Sequence, residues 1–401
     1  MSPPVRLLTF SSLYPNAAQP THGVFVENRL RHLLGSGAAT STVLAPVPWF
    51  PSTSSRFGAW AAFARAPREE TRHGIAVHHP RFPVIPRVGM SIAPWLLYRA
   101  ALPAARRLLA AGVAFDAIDA HYVYPDGVAA VWLGRALGRP VVITARGTDV
   151  NLIPRYAVPR RLIQGAIAGA AALIAVSGAL AEALTGLGAP AGKVTVLRNG
   201  VDLALFHPPA DRAAARAALG LAGPTLISVG HLIDRKGHDL VIEALARLPD
   251  WSLLIVGEGP ERAKLEALAA RPGLAGRVRL LGGRPHAELP TLYGAADVLV
   301  LASSREGWAN VLLESMACGT PVVASDIWGN PEVVRDPEAG RIVPRTAEAI
   351  AAGVAALAAA APARAATRAY AEGFSWDATT EGQLVLFRRV IAARPLPYPA
   401  G

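Results

Sequence analysis

The sequence contains a single cysteine, Cys318, and only three lysines among its 40 basic residues. One cysteine excludes an intramolecular disulfide and a thiolate zinc cluster, which fits a reducing compartment. Charged residues make up only 17% of the 401 positions and hydrophobic residues 52%, so the chain can bury large cores and is not a disordered tail. At roughly 150 residues per domain, this length favours two large domains.

Long apolar runs are also missing. The start, MSPPVRLLTF, has no basic segment followed by a sustained apolar stretch, so it does not predict a signal peptide. The most apolar stretch, residues 165–180, is rich in alanine and glycine and too short to cross a bilayer. We therefore expect a cytoplasmic protein.

Acidic residues are scarce only in the first half of the chain. Residues 1–200 carry 20 basic and 8 acidic side chains, whereas residues 201–401 carry 20 and 21, so the net charge of +11 arises in the first half. Between Pro48 and Gly112, nine arginines and two acids alternate with aromatic residues. This pattern is typical of a surface that meets a membrane or an anionic acceptor, and equally of solvated arginines in an arginine-rich protein. The basic residues form no nucleic-acid-binding motif, so we expect no nucleic-acid partner.

Short apolar runs alternate with helical patterns along most of the chain, which is typical of βαβ units and parallel sheets. In the first half the predicted strands are Val5–Phe10, Ser41–Ala45, Ala117–Asp119, Pro140–Thr144, Ala172–Val176 and Val194–Leu197. In the second half they are Thr225–Val229, Trp251–Val256, Val278–Leu281, Val298–Leu301 and Pro321–Ala324.

The predicted fold class is α/β with two doubly wound parallel sheets in succession. We place the first domain at residues 1–200, the second at 201–375, and a last helix within 376–401, before a proline-rich end, that packs back toward the first domain. Ligands of such sheets bind in a cleft at the carboxyl ends of the strands. Candidate site residues are therefore sought in the turns that follow strands.

Three turns of the first half contain candidates. Gly23 ends a long loop before a helix whose N-terminus favours an anion, although an ordinary exposed loop fits the same pattern. His121 lies just after the strand Ala117–Asp119, where a side chain would face the cleft, but a lone histidine is more often a packed or capping residue. Arg146 and Asp149 follow the next strand as acceptor-side candidates, and they would equally form a structural clamp with each other.

The turn after Thr225–Val229 combines a glycine with adjacent basic residues. Gly230 is followed by Arg235 and Lys236, and charge-assisted contacts from such a pair suit a diphosphate leaving group. Solvated surface charge is the alternative. The segment IVGEGP begins like a dinucleotide fingerprint, but Arg262 stands where its third glycine would be. We therefore do not expect a dinucleotide-binding site there.

Glu306 and Glu314 give the most informative pattern. The first lies in the turn after Val298–Leu301, and the second lies in a predicted helix, Asn310–Cys318, that ends at Gly319. The helix N-terminus offers amides to phosphates or sugar hydroxyls, and two carboxylates can accept hydrogen bonds from vicinal hydroxyls. Paired carboxylates alone are a weak signal, but the glycines, the basic pair and the two-sheet layout make it strong.

Together these residues resemble glycosyltransferase family 4, the retaining GT-B enzymes that use nucleotide-diphosphate sugars. The resemblance covers nearly the whole chain and is densest over residues 199–344, with NGVD, GHLIDRKGHDL, IVGEGP, LYGAADVLVLAS and the E-x7-E segment with ACGTPVVASD. In the first half, HGVFV, HYVYPDG and ARGTDVN resemble the subgroup of teichuronic acid and other surface-polysaccharide synthesis. The resemblance implies the GT-B fold, with two Rossmann-like domains facing a central cleft.

The resemblance also implies a role for each matching residue. Glu314 would hold the ribose hydroxyls of the nucleotide, and Glu306 would contact the donor sugar. Lys236 and Arg235 would neutralise the diphosphate. The other implied donor-site positions are His121 near the sugar, Gly23 and Gly230 at the phosphates, Arg284 by the base, and the backbone amides of Gly307, Trp308, Ala309 and Asn310 over the sugar and diphosphate.

Two departures from the family pattern affect these roles. His231 stands where many members have arginine after the glycine that matches Gly230, so diphosphate binding would depend more on Lys236 and Arg235. Arg146 stands where many have the histidine of HG-x-D, and we interpret it as meeting an anionic group of the acceptor or donor.

The implied reaction is sugar transfer to a saccharide or lipid-linked acceptor with retention at the anomeric carbon. It would proceed by front-face attack, with the leaving diphosphate helping to take the acceptor's proton. The chain has no Asp-x-Asp, so we expect neither a metal nor another cofactor beyond the nucleotide-sugar co-substrate. Peripheral association with the inner face of the cell membrane is compatible with this reaction.

Two other functions fit parts of the sequence. A nucleotide-sugar 2-epimerase of the same fold would consume donor without acceptor and release an epimerised sugar. A non-catalytic membrane- or nucleic-acid-binding module built on the basic half would bind liposomes in a salt-dependent manner and would not bind nucleotide sugars.

Overall fold

The computed structural model describes residues 3–85 and 89–393, and it divides the chain into two compact units. Unit 1 is Met1–Arg198 together with Asp377–Gly401, and unit 2 is Asn199–Trp376. The sequence places the corresponding limits after residues 200 and 375. The proline-rich end of the chain lies outside the described residues from position 394.

Unit 1 is built on apolar strands joined by helices. Its strands are β1 (Val5–Phe10), β2 (Ala39–Leu44), β3 (Val47–Pro48), β4 (Glu69–Arg72), β5 (Ile75–His78), β6 (Arg81–Phe82), β7 (Ala117–His121), β8 (Val141–Ala145), β9 (Ala172–Ala175) and β10 (Val194–Val196). Its helices are α1 (Val24–Gly35), α2 (Ala59–Arg65), α3 (Gly89–Ala110), α4 (Val128–Leu137), α5 (Thr148–Asn151), α6 (Ala157–Gly169) and α7 (Gly178–Gly186).

Within the described part of unit 1, eight strands form one sheet in the order β10-β9-β8-β7-β1-β2-β5-β4. Neighbours pair in parallel except β4 and β5, and β3 pairs with β6 in a separate two-stranded ribbon. The sequence pattern did not predict β3 to β6. These strands are short, and β4 reads EETR with its side chains half-buried or exposed, so they lack the continuous apolar run that marks the central strands.

Unit 2 repeats this arrangement on a smaller sheet. Its strands are β11 (Thr225–Val229), β12 (Ser252–Val256), β13 (Val278–Leu280), β14 (Val298–Leu301), β15 (Val322–Ser325) and β16 (Gly340–Val343). Its helices are α8 (Arg212–Ala218), α9 (His238–Leu245), α10 (Arg262–Ala269), α11 (Leu289–Ala295), α12 (Asn310–Ala317), α13 (Asn330–Val333), α14 (Ala347–Ala360) and α15 (Arg364–Glu372), and α16 (Trp376–Ala392) then returns to unit 1.

The six strands of unit 2 pair in parallel in the order β13-β12-β11-β14-β15-β16. The edge strand β16 was not predicted, because it begins at a glycine and its second residue is an exposed arginine. The order reverses between β11 and β14, which is the switch point where ligands of such sheets bind. The predicted α/β fold with two doubly wound parallel sheets is confirmed.

Helix α16 completes the core of unit 1. Phe387 is fully buried and belongs to the same apolar cluster as Val5, Leu7 and Leu33, which come from β1 and α1. Gly382 lies so close to the strand end that a Cβ there would be 2.5 Å from a methyl carbon of Leu197. The last helix therefore contributes to the folding of the unit that contains the start of the chain.

None of the described helices is by itself long and apolar enough to span a membrane. The segments Ala347–Ala360 and Arg364–Ala392 satisfy that test only jointly, and they are bent by 109° at the break between them.

Replacing Phe387 with alanine is expected to lower the free energy of unfolding of unit 1 by about 3–5 kcal/mol, because it opens a cavity in the core. The matched control is Val385→Ala on the same helix, whose side chain is 59% exposed; it should change stability by less than about 0.5 kcal/mol. Urea unfolding followed by circular dichroism measures both. Equal losses in the two variants would show that α16 does not belong to the core of unit 1.

Candidate functional site

In unit 2, glycines let the turns after β11, β12 and β14 approach one another closely. A Cβ on Gly257 would lie 1.9 Å from the carbonyl oxygen of Gly230, and one on Gly237 would lie 2.2 Å from that of Ala302. Gly237 has φ +68°, a conformation that favours glycine. These contacts bring the Lys236 side chain over Gly230, where a Cβ would be 3.3 Å from its Cε.

Glu306 lies at the centre of this group of turns. Its Oε1 accepts hydrogen bonds from Lys236 Nζ at 2.7 Å and from Ser303 Oγ at 2.7 Å, and Arg235 Nη1 lies 3.6 Å away. Its side chain is only 11% exposed. Burial acts to raise the pKa of Glu306, but the charges of Lys236 and Arg235 outweigh burial and hold it below its ordinary value. The carboxylate is therefore ionised and fixed in position.

Glu314 lies one turn into α12 and has its own set of partners. The Tyr293 hydroxyl donates to Oε2 at 3.0 Å, and His286 Nε2 lies 3.6 Å from Oε1. The hydrogen bond and charge of Glu314 raise the pKa of His286. Phe206 packs edge-on against the His286 ring at 5.0 Å. Two aromatic residues and a histidine thus orient the second carboxylate of the E-x7-E segment.

The start of α12 is tied to the segment Asn199–Gly200. Asn199 donates through its side chain to Asn310 Oδ1 at 3.2 Å, and its carbonyl oxygen accepts from the Trp308 indole at 3.1 Å. The indole is buried, as are Gly307 and Ala309. The helix runs from Asn310 to Ala317, one residue short of the predicted end.

Residues 282–284, the candidate contact with the nucleotide base, lie beside Glu258. The amide of Gly283 donates to Glu258 Oε1 at 3.1 Å, and His231 Nδ1 lies 3.1 Å from the Glu258 carbonyl oxygen. Arg284 is 42% exposed and lies 3.6 Å from Glu288. The backbone of this segment is therefore held in place, whereas the Arg284 side chain is largely solvated.

In unit 1, Gly23 is the N-cap of α1 and follows the long loop after β1. Its φ is +70°, and a Cβ there would lie 2.3 Å from the carbonyl oxygen of Leu13, so glycine is required. The same loop is bonded to Asp126, whose carboxylate accepts from the Ser12 amide and, at 3.0 Å, from the Ser12 hydroxyl. Burial raises the pKa of Asp126 to about 7 despite these hydrogen bonds.

His121 is the last residue of β7, not the first residue of the turn, and its side chain is 1% exposed. The strand continues two residues beyond its predicted end at Asp119. Its Nε2 lies 3.1 Å from Asp119 Oδ2, and its Nδ1 lies 2.8 Å from Arg146 Nη2. The Arg146 guanidinium stacks over the Phe25 ring at 5.2 Å.

Asp149 contacts Arg146 through the main chain. Its carboxylate accepts from the main-chain amides of Val123 at 2.7 Å, Gly147 at 2.7 Å and Arg146 at 3.2 Å. The Asp149 side chain is fully buried. It stabilises the turn after β8, because a carboxylate can accept several N–H donors that the irregular backbone leaves without partners.

The structure gathers the sequence candidates into a few groups. Lys236, Arg235 and Glu306 come together in unit 2, and His121 and Arg146 come together in unit 1. The residues that the sequence pattern missed are Arg29, Asp119, Asp126, His286, Tyr293 and Ser303. Asp119 could have been found from the sequence, because it lies two residues before His121 on one strand and so faces the same side of the sheet. In the described residues, no three His, Cys, Asp or Glu side chains are grouped as a metal site.

Asp126 makes the stability of unit 1 depend on pH. Its folded pKa of about 7 exceeds the unfolded value, so between about pH 4 and pH 7 the folded state binds a proton that the unfolded state has released. We expect this group to lower the free energy of unfolding as pH rises through that window, by up to about 4 kcal/mol.

The variant Asp126→Asn, which stays uncharged, should lack that loss, and unfolding in urea at pH 4 to 8 measures it. The exposed Glu182→Gln on α7 is the control and should follow the wild-type curve. Parallel curves for Asp126→Asn and wild type would contradict the expectation.

Both halves of the chain match models of glycosyltransferase domains. Residues 211–374 match the model described as glycosyl transferases group 1, and residues 56–205 match glycosyltransferase family 4. A D-inositol 3-phosphate glycosyltransferase of Mycobacterium leprae is 38% identical over 215 residues, which cover 50% of this chain and 50% of the relative. The corresponding protein of Mycobacterium tuberculosis is 37% identical over 220 residues, 51% and 45% of the two chains. The chain spans about half the length of the curated relatives it matches.

Solved structures resemble the whole chain. A sucrose-phosphate synthase from Thermosynechococcus elongatus superposes with TM-score 0.78 at 23% identity, covering 97% of this chain and 100% of that one. HepE of Anabaena in complex with UDP gives TM-score 0.73 at 23% identity, with coverages of 96% and 100%. At such identities the likeness shows the fold. This chain therefore has the GT-B fold, and its first half resembles a glycosyltransferase family 4 domain and its second half a group 1 domain.

Proposed function

We propose that this protein is a retaining glycosyltransferase that moves a sugar from a nucleotide-diphosphate sugar to a saccharide or lipid-linked acceptor, in cell-surface polysaccharide or glycolipid synthesis. The observation that carries the proposal is the half-buried group of Glu306, Lys236 and Arg235 at the switch point of the unit 2 sheet, with Glu314 oriented on the adjoining helix. HepE of Anabaena, which shares the fold, has been solved with UDP-glucose, and this supports a nucleotide-sugar donor.

The charges in unit 2 suit such a donor. Two cations, Lys236 and Arg235, face one carboxylate, so the group retains one positive charge with which to bind a diphosphate. Glu306 accepts only through Oε1 in the contacts described, and its carboxylate would also accept from a sugar hydroxyl. Glu314, held by Tyr293, would accept from the ribose hydroxyls.

The reaction would place its negative charge on the leaving diphosphate. Lys236 and Arg235 stabilise that charge, and the diphosphate oxygen takes the proton of the attacking acceptor hydroxyl as the new glycosidic bond forms. Glu306 is bonded to two donors and serves to orient the sugar, which favours front-face attack and retention. The same cations supply the charge that a metal ion supplies elsewhere, so we propose that turnover needs no metal.

A thermal-shift screen in EDTA against UDP-, GDP-, ADP- and dTDP-sugars tests the donor site. A donor at about 100 times its dissociation constant should stabilise the protein by roughly 2.7 kcal/mol. Glu314→Ala should abolish the shift, whereas the exposed Glu338→Ala should keep it. The donor so identified should be turned over in EDTA with the anomeric configuration retained. A shift that survives Glu314→Ala, or turnover that needs added metal, would contradict the assignment.

We further propose that unit 1 associates with the anionic inner face of the cell membrane, where a lipid-linked acceptor would reside. Three tryptophans are unusually exposed for their size: Trp49 at 55%, Trp60 at 41% and Trp95 at 51%. Arg99 stacks over Trp95 at 5.4 Å, so a cation accompanies one of these exposed rings. Exposed aromatic rings with arginines fit the interfacial region of an anionic bilayer.

Unit 1 also has an apolar groove of about 480 Å³ that would take part of an apolar acceptor chain. The residues that line it include Phe82, Val84, Ile85, Met90, Leu96, Tyr124 and Ile153. The groove and the exposed tryptophans belong to the same unit, which is the unit that carries the excess of arginine.

The wild-type protein should co-sediment with vesicles of phosphatidylglycerol and phosphatidylcholine, and less so as salt is raised. The double variant Trp49→Ser, Trp60→Ser should bind about tenfold more weakly, a loss of about 1.4 kcal/mol. Val385→Ser removes an equally exposed apolar side chain from α16 and serves as control. Equal binding by the double variant and the control would contradict membrane association through these tryptophans.

A further inference from the structure

Three buried polar side chains of unit 1 form a continuous hydrogen-bonded chain at the carboxyl ends of β7 and β8. Asp119 Oδ2 lies 3.1 Å from His121 Nε2, and His121 Nδ1 lies 2.8 Å from Arg146 Nη2. Asp119 and His121 are each 1% exposed, and Arg146 is 9% exposed. Of the three, Arg146 has the largest share of accessible surface.

The arginine fixes the tautomer of the histidine. A guanidinium has only donors, so the His121 Nδ1 that meets Arg146 must present a lone pair. The ring proton is therefore on Nε2, where it donates to Asp119. Burial lowers the pKa of His121, and the charge of Arg146 acts in the same direction, so the ring is neutral. Both ring nitrogens are then engaged with protein groups.

It follows that His121, as placed here, contacts no substrate directly. The resemblance assigned it a place near the sugar, but its surface is covered and its hydrogen-bonding capacity is used. The ring instead links Asp119 to Arg146 through hydrogen bonds and so fixes where the guanidinium lies. The Phe25 ring, 5.2 Å from the guanidinium carbon, fixes the plane of the guanidinium from another side.

The charges around Arg146 favour an anion. A second guanidinium, that of Arg29, is 1% exposed and acts on Arg146, and Asp119 acts on both. Main-chain amides donate to two further buried carboxylates, that of Ser12 to Asp126 and those of Val123, Arg146 and Gly147 to Asp149, and Asp149 also acts on Arg146. Despite these carboxylates, burial lowers the pKa of Arg146 to about 10 and that of Arg29 to about 9, so both cations are incompletely stabilised and an oxyanion beside them would be stabilised.

We propose that Arg146 is the residue of unit 1 that binds a phosphate oxyanion of the substrate, and that Asp119 and His121 are positioning residues that act through it. This inference rests on the proposed transferase function. The oxyanion belongs either to the donor diphosphate or to a phosphorylated acceptor, and the chemistry that Arg146 recognises is the same in both.

The decisive comparison is between two substitutions of the histidine. The carboxamide of His121→Gln can accept from Arg146 and donate to Asp119 but cannot titrate, whereas His121→Leu can do neither. We expect His121→Gln to keep kcat/KM within about threefold of wild type, with an unchanged pH profile. His121→Leu and Arg146→Met should each lose about 10- to 100-fold, as expected for loss of a hydrogen bond to a charged group. The exposed Arg160→Met on α6 is the charge-matched control and should behave as wild type.

Two binding measurements identify the source of the oxyanion. Weaker binding of the nucleotide sugar to Arg146→Met, measured by calorimetry, would place the contact on the donor. Unchanged donor affinity with a raised KM for the acceptor would place it on the acceptor. Either result supports the role of Arg146. The role is overturned if Arg146→Met retains wild-type kinetics, or if His121→Gln is as inactive as His121→Leu, which would mean that the imidazole itself acts on substrate.

Pyrophosphate binding to the full chain separates this inference from the proposed function. Arg146→Met and His121→Leu should bind pyrophosphate about tenfold more weakly than wild type, whereas His121→Gln and Arg160→Met should not change. If the wild type turned over no nucleotide sugar, the transferase function would fail while this comparison still decided the role of Arg146. Equal pyrophosphate affinity in all four variants, without a kinetic difference, overturns the inference.

Discussion

The carboxylate of Glu306 is almost removed from water, and the arrangement of the unit 2 strand ends depends on how it is held. An ion in that position is stable only with cations and hydrogen-bond donors at close range, here Lys236 and Ser303. Lys236 comes from the turn after β11, and Ser303 comes from the turn after β14. The two turns must therefore lie in direct contact with each other. Gly237 makes this possible, because any Cβ there would overlap the Ala302 carbonyl oxygen.

Unit 1 solves a similar problem by other means. Its carboxylates Asp126 and Asp149 are covered by main-chain amides rather than by cations. These hydrogen bonds fix the turns after β1 and β8. Burial lowers the pKa of both Arg29 and Arg146, although Asp119 acts on both guanidiniums and Asp149 acts on that of Arg146. Unit 2 therefore presents an oriented carboxylate, whereas unit 1 presents an oriented cation.

Features were predictable from the sequence where the residue type at a position has a single physical reason to occur there. Buried parallel strands require unbroken apolar runs, so β1, β8 and β11 were predicted closely, and the E-x7-E spacing placed Glu306 in a turn and Glu314 in a helix. The edge strands β4 and β16 were not predicted, because they are short and carry charged residues. The hydrogen-bond partners of the site residues were not predicted for a different reason. Tyr293 is 21 positions before Glu314, and no local pattern shows that its hydroxyl reaches that carboxylate.

The position of Arg146 illustrates why a residue's type can be read from sequence while its role depends on its neighbours. Read alone, His121 is the residue with a titratable ring and Arg146 is a departure from the family pattern. The hydrogen-bond chain reverses that interpretation, because a guanidinium next to an imidazole nitrogen removes the lone pair that a general base would need. A histidine with two bonded nitrogens becomes part of the scaffold, and the arginine becomes the group that meets the ligand. A single long-range contact over 25 positions thus decides which of the two can act on a substrate.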